Sequence, residues 1–197
     1  MGLGKQAKVL RAGELRRLLH RASRSRHPER DRAMVLLSFK AGLRAVEIVG
    51  VTWSMVTDAS GEIADCISLQ NTASKGKGGG RAIPLHSDLR DALSRLLAVR
   101  GERARPNRPV IYSEPADGYS ANAVAVWFHT RFAELAIEGA SSHSGRRTFI
   151  TAAAKKITEA GGSLRDVQEL AGHASLATTQ RYIQGDTAAK RKVIELI

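Results

Sequence analysis

HSGRRTFITAAAKKITEAGGSLRDVQELAGHASLATTQRY, residues 143–182, carries His143, Arg146, His173 and Tyr182. Its periodicity predicts helices over residues 144–160, 163–171 and 176–183. Gly172 reads as the stop of the second of these, and Ser175 is placed to cap the third, which bears Tyr182. His173 then falls in the turn between two helices. A tyrosine hydroxyl can attack phosphorus and hold it as a covalent ester. Its ordinary pKa near 10 requires that the proton be taken or strongly screened, which clustered arginine and histidine can do. Other roles fit the same residues. A histidine at a helix junction can simply cap carbonyls, and a tyrosine there can simply pack.

His143 and Arg146 stand three apart at a helix start, a spacing that sets both on one face. Histidine can pass protons near neutral pH, and an adjacent arginine can balance charge in a phosphorane-like transition state. Alone, a pair so spaced is common among histidines with no catalytic part.

Working outward, the remaining chain reads as mostly helical with one small antiparallel sheet, an α+β arrangement. Residues 12–23 form a helix with Leu15, Leu18 and Leu19 on one face. Residues 29–41 form the next, carrying Met34, Leu36, Leu37 and Phe39, with Gly42 as its stop. Residues 45–51 read as a short helix. Residues 53–56, 66–69 and 81–85 read as three strands separated by glycine-rich turns. Residues 87–100 form a helix capped by Ser87, with Leu89, Leu93, Leu96 and Leu97 inward, and residues 120–137 form another.

Two further stretches can carry chemistry. In AGLRAVEIVGV, residues 41–51, Arg44 follows the helix stop and Glu47 lies one turn on. Arg44 can offer a fork of donors to a phosphate while Glu47 holds that fork, or the two can be an ordinary surface pair. In TASKGKGGGRAIPL, residues 72–85, Lys75 and Lys77 lie in a glycine-rich turn between strands. A lysine on such a hairpin can protonate a leaving oxygen, or the turn can be basic only for solubility. The phosphate loop GxxxxGK[ST] is not matched, so nucleotide binding is not indicated.

The 197 residues suit one domain or at most two small ones, and 43% hydrophobic residues suffice for a core. A net charge of +12 favours a polyanion such as nucleic acid, or an anionic membrane surface. No apolar run approaches the roughly 20 residues of a membrane span, and the first residues lack the apolar centre of a signal peptide. Cys66 is the single cysteine, which excludes an internal disulfide and a cysteine-rich metal site and fits a reducing cytoplasm. It is expected to be a small core residue rather than a nucleophile.

Together these motifs resemble the tyrosine recombinase (phage integrase) family, whose pattern is Arg, Lys, His-x-x-Arg, His or Trp, then Tyr. The matching positions are Arg44 in GLRAVEI, Lys75 before RAIPL, His143 and Arg146 in HSGRRTF, His173 in AGH, and Tyr182 in TTQRY, nine residues after His173. Glu47 matches the acidic residue that supports the first arginine. The likeness covers about residues 10–185. It departs at Gly145, where leucine is usual, and at Arg147, where histidine is common. Gly145 is expected to loosen the first turn of its helix. An extra glycine in the hairpin leaves Lys75 or Lys77 as the acid.

The resemblance implies the catalytic-domain fold of DNA breaking and rejoining enzymes. Residues 1–9 would be a basic lead-in, 10–185 the catalytic domain and 186–197 a tail for protomer contact, without the amino-terminal clamp domain most members carry. It implies a site-specific recombinase working on double-stranded DNA in the cytoplasm, through a 3′-phosphotyrosine. Arg44, Arg146 and His173 would bind the scissile phosphate, Lys75 would protonate the leaving 5′ oxygen and His143 would assist at the tyrosine. No metal and no nucleotide cofactor is expected. Arg21, Arg24, Arg26, Lys77, Arg81 and Arg147 would contact DNA, with Arg30 a further candidate. A monomer in solution and a homotetramer on paired sites are expected, with no membrane partner. Two other readings stay open: an inactive DNA-binding module of the same fold, and a topoisomerase IB-like relaxer.

Overall fold

The computed structural model describes residues 6–70, 80–114 and 118–182. The helices are α1 (Ala12–Ser23), α2 (Pro28–Lys40), α3 (Ala45–Gly50), α4 (Ser87–Arg100), α5 (Ala121–Glu134), α6 (Ser144–Lys156), α7 (Leu164–Ala171) and α8 (Leu176–Gln180). Two strands, β1 (Cys66–Leu69) and β2 (Arg81–Pro84), pair antiparallel with Ile67 opposite Ile83 and Leu69 opposite Arg81. The expected α+β class is the observed one.

α2 is the central helix. Its run from Ala33 to Phe39 is buried, because α1, α4 and α6 all pack on it. A helix surrounded on all sides has no polar face to keep, which is why its residues read as a nearly continuous apolar run rather than a stripe. Leu18 of α1, Leu89, Leu93 and Leu96 of α4, and Phe128 and Phe132 of α5 complete the main core. Ile150, Val167 and Ala171 form a smaller second core under α6 and α7. The chain just before α1 is tied down, with the Lys8 N–H donating to Gly139 C=O and the Leu10 N–H to Thr148 Oγ1.

Several expectations change. Residues 53–56 are not a strand: Trp53–Met55 forms a 3₁₀ turn. The Trp53 N–H bonds to Arg108 C=O and Trp53 is buried, so a long-range contact overrides its β-favouring composition. His86, not Ser87, caps α4, its Nδ1 accepting from the Asp88 N–H at 3.1 Å. Cys66 is only half-buried, because β1 alternates and it falls off the core face taken by Ile67 and Leu69. Helices α5, α6 and α8 end earlier than expected, at Glu134, Lys156 and Gln180, so Tyr182 lies past α8 rather than on it. Lys75, Lys77 and the tail lie outside the described residues.

Gly145 does not loosen α6. It is buried where α6 crosses α2, and a Cβ there would stand 2.1 Å from Ser38 Oγ and 2.9 Å from Phe39 Cδ2. The glycine is what lets the two helices touch. Gly145→Ala would gain about 1 kcal/mol of helix propensity but lose about 1–3 kcal/mol to overpacking. The expected result of a thermal melt is a midpoint lower by a few degrees. A midpoint equal to or above that of the parent would show that α2 and α6 separate freely.

Candidate active site

The site forms where the ends of α2 and α7 meet the starts of α3, α6 and β2. Gly42, at φ +65°, turns the chain out of α2. A Cβ at that position would lie 2.4 Å from the Phe149 ring of α6, so only glycine fits on both counts. The turn delivers Arg44 to the N-cap of α3, where its N–H donates to Glu47 Oε2 at 2.8 Å. Arg44 keeps 39% of its side chain exposed, whereas Glu47 is fully buried.

Glu47 is the centre. Its Oε1 accepts from Arg44 Nη1 at 3.2 Å and from Arg81 Nη1 at 2.9 Å, and its Oε2 lies 3.8 Å from Arg146 Nη1. Burial acts on the carboxyl most strongly and in the raising direction. The bonds from Arg81 and from the Arg44 N–H, with the charges of Arg81 and Arg146, outweigh it and hold the pKa below the ordinary 4.5. One carboxylate thus faces three guanidiniums, which leaves the cluster net positive and suited to an anion.

Arg146 lies on α6 and is 4% exposed. Nη1 donates to Gly42 C=O at 2.8 Å and Nη2 to Ala171 C=O at 2.5 Å. It therefore fastens the turn after α2 to the end of α7. Burial pushes its pKa down to about 10, with Arg44 and Arg81 adding to the effect and Glu47 and Tyr182 opposing it, so it stays charged at neutral pH.

His173 is placed by the end of α7. Gly172 adopts the left-handed conformation, the His173 N–H returns to Gln168 C=O at 3.1 Å, and Gln168 Nε2 donates to His173 C=O. The ring is 7% exposed and its Nδ1 stands 2.9 Å from Thr179 Oγ1 on α8. Burial first, then the charges of Arg146, Arg44 and Arg81, push its pKa down to about 4, so the imidazole is neutral at pH 7. Tyr182 follows α8, and its ring stacks on His173 with centroids 5.5 Å apart at 22°.

Arg44, Glu47, Arg146, His173 and Tyr182 are therefore brought together. His143 caps α6 but is exposed, so it does not share the buried face of Arg146, and its ring bonds to no described residue. Arg81, expected among outward contacts, is 14% exposed and lies against Glu47. Arg30 is not free for a backbone contact: it is buried on Asp31 and stacked over Tyr119. Arg21 pairs with Glu134 and borders an open groove of about 550 Å³ with Arg16, Arg17 and His20, and Arg26 pairs with Glu114. Arg24 is exposed and Arg147 half-buried. Sequence reasoning missed Thr179 and Gln168, which orient His173. Gln168 lies outside the quoted motifs and Thr179 stands within TTQRY without a role there, and only the fold shows their contact with His173.

The family model for the phage integrase family matches residues 8–188. The tyrosine recombinase XerC of Yersinia pestis is 36% identical over 160 residues, covering 80% of this chain and 48% of that protein. The tyrosine recombinase XerD of Rickettsia conorii is 28% identical, covering 96% of this chain and 64% of its own length. The chain thus spans about half to two thirds of these relatives. Among solved structures, the XerA recombinase superposes with a TM-score of 0.74 at 24% identity, over 96% of this chain and 64% of that one. XerH bound to its difH substrate gives 0.72 at 21% identity, over 98% and 55%. The fold is that of the tyrosine recombinase catalytic domain. Matched by one family model over nearly its whole length, and 36% identical over 160 residues to a named tyrosine recombinase, the chain belongs to the phage integrase family of tyrosine recombinases.

Proposed function

We propose that this domain cuts and rejoins double-stranded DNA through a 3′-phosphotyrosine on Tyr182. The observation that carries the reading is the under-neutralised cluster of Arg44, Arg81 and Arg146 around Glu47, beside a histidine stacked on a tyrosine. Arg44 and Arg146 bind non-bridging oxygens of the scissile phosphate. His173, neutral at pH 7, acts as a hydrogen-bond donor to that phosphate. This role assigns the shared proton of the 2.9 Å contact between Nδ1 and Thr179 Oγ1 to the hydroxyl, which puts the ring proton on Nε2, away from Thr179. Tyr182 Oη attacks phosphorus as the bond to the 5′ oxygen breaks, and a hairpin lysine, Lys75 or Lys77, gives that oxygen its proton. The tyrosyl ester retains the bond energy, so a second strand's 5′ hydroxyl can reverse the step and complete exchange. His143, at the surface beside this site, assists proton transfer at the tyrosine once DNA is bound.

DNA complexes of the structural neighbours support DNA as the partner. The +12 charge supplies salt-sensitive affinity through phosphates. Arg21, Arg24, Arg26, Lys77 and Arg147 are the candidate contacts, and a homotetramer assembles on paired sites from monomers in solution. The carboxy-terminal tail supplies the contact between protomers.

The test is covalent trapping. The protein is incubated with nicked duplex from the flanks of its own gene, and adducts are separated on a denaturing gel and mapped by peptide mass spectrometry. The expected adduct lies on Tyr182 and is absent from Tyr182→Phe. An adduct that survives in Tyr182→Phe, or maps elsewhere, overturns the assignment. Relaxation of supercoiled plasmid without recombinant product would assign a relaxing activity instead.

A further inference from the structure

We propose that Arg81 is a positioning residue of this site, acting through Glu47 on Arg44 and through Gly172 on the His173 turn. The proposal rests on the preceding reading of the cluster as a phosphate site. Arg81 opens β2, six residues after Lys75 and four after Lys77 in the sequence. It stands opposite Leu69 in the register, so its backbone is fixed by the sheet. Its Nη1 shares Glu47 Oε1 with Arg44 Nη1, at 2.9 Å against 3.2 Å. The shorter of the two bonds is thus the one from Arg81. It sets the rotation of the carboxylate, and that rotation decides where the remaining donors of Arg44 point.

The other face of Arg81 meets the turn before His173. A Cβ at Gly172 would come within 2.6 Å of Arg81 Nη1 and 3.0 Å of its Cζ. The guanidinium is therefore roofed by bare backbone, and Gly172 serves a second purpose beyond its positive φ. One side chain thus touches the element that aims Arg44 and the turn that aims His173. Arg146 ties the same two turns through the carbonyls of Gly42 and Ala171. Arg81 adds the link through the carboxylate, which Arg146 meets only at 3.8 Å.

Nε and Nη2 of Arg81 are buried and bond to no described residue. A covered cation with two unmet donors is unfavourable unless its field is used. Because those atoms are covered, Arg81 does not itself touch the anion. Its charge and its grip on Glu47 hold Arg44 and the His173 turn in place before the anion arrives, and the bound phosphate supplies the missing countercharge.

The test uses the full chain and four proteins: the parent, Arg81→Met, Arg81→Lys and a control, Arg165→Met, which removes one exposed arginine paired with Glu169. Two readouts are taken. The first is thermal stabilisation of the DNA-free protein by inorganic phosphate. The second is the single-turnover rate of adduct formation at saturating DNA. Arg81→Met is expected to lose the phosphate response while the control keeps it, and to form adduct about a hundredfold more slowly, the scale of a misplacement near 1 Å. Arg81→Lys keeps the charge and can reach Glu47 with one donor, so it should recover both readouts in part. This second variant serves where Arg81→Met does not fold.

A lowered melting point with phosphate response and rate unchanged would make Arg81 merely structural and overturn the proposal. Full recovery in Arg81→Lys would reduce its role to charge and overturn it equally, as would a parent protein that phosphate does not stabilise. If no DNA adduct forms with any protein but the phosphate response still depends on Arg81, the proposed reaction fails and the positioning role stands.

Discussion

Arg146→Lys is expected to lower the rate of adduct formation by about 10²–10³-fold, the scale of removing one preorganised donor from a transition state, although the charge is kept. The reason is geometric. The guanidinium sends separate nitrogens to Gly42 C=O and Ala171 C=O, at the ends of α2 and α7. A cation suits both sites, since helix carboxy-terminal carbonyls carry partial negative charge. A lysine ammonium is a single point and reaches one of them, leaving a buried carbonyl unmet at about 1–3 kcal/mol. The thermal midpoint should fall by about 2–12 °C, given roughly 2–4 °C per kcal/mol for a chain of this size. The change in rate exceeds what the stability loss explains, because the turn bearing Arg44 and the turn bearing His173 are then no longer tied together. A Lys variant forming adduct within twofold of the parent rate would show that Arg146 serves only as charge.

That tie also marks the limit of what the chain reveals by itself. The short-range features are legible: Gly42 and Gly172 as stops, the pairing of Arg44 with Glu47, and Ser175 at the N-cap position of α8, though without a side-chain cap bond, follow from spacing within a few residues. The strand at Cys66–Leu69 shows in its alternation, and α2 shows as an apolar run. The contacts that build the site are of another kind. Arg146 meets a carbonyl 104 positions away, and Arg81 meets a carboxylate 34 positions away. No local rule pairs them.

The same gap explains Trp53, whose neighbours favour a strand while a distant carbonyl at Arg108 bends it into a 3₁₀ turn. It explains Arg30 as well. In sequence Arg30 belongs to a basic loop, but the fold closes Tyr112 and Tyr119 over it and gives it Asp31. A charge excess counted along a chain cannot separate arginines that face DNA from those that hold the domain together.

Glu47→Gln is expected to have the largest effect on stability. Glu47 is the one carboxylate in contact with Arg44, Arg81 and Arg146 among the described residues, and it is fully buried. Glutamine keeps the shape and one acceptor oxygen but removes the countercharge, leaving three neighbouring cations uncompensated. Breaking a buried ion pair in this way costs about 3–5 kcal/mol, or roughly 6–20 °C in midpoint. The dependence on pH follows from the lowered carboxyl pKa. A folded-state pKa below the unfolded one means that the unfolded chain binds the proton first. The Glu47 contribution is then fully present above about pH 4.5 and is lost as pH falls below it. In melts from pH 7 down to pH 3, the parent should lose stability through that window more steeply than Glu47→Gln, which has no such proton to take up. The two curves converge in acid and diverge toward neutrality. Parallel curves would show that the carboxylate does not neutralise the cluster. Glu47→Asp completes the set, because it retains the charge one methylene short of the guanidiniums. It should keep the acid sensitivity while forming adduct slowly, separating the role of Glu47 as countercharge from its role in aiming Arg44.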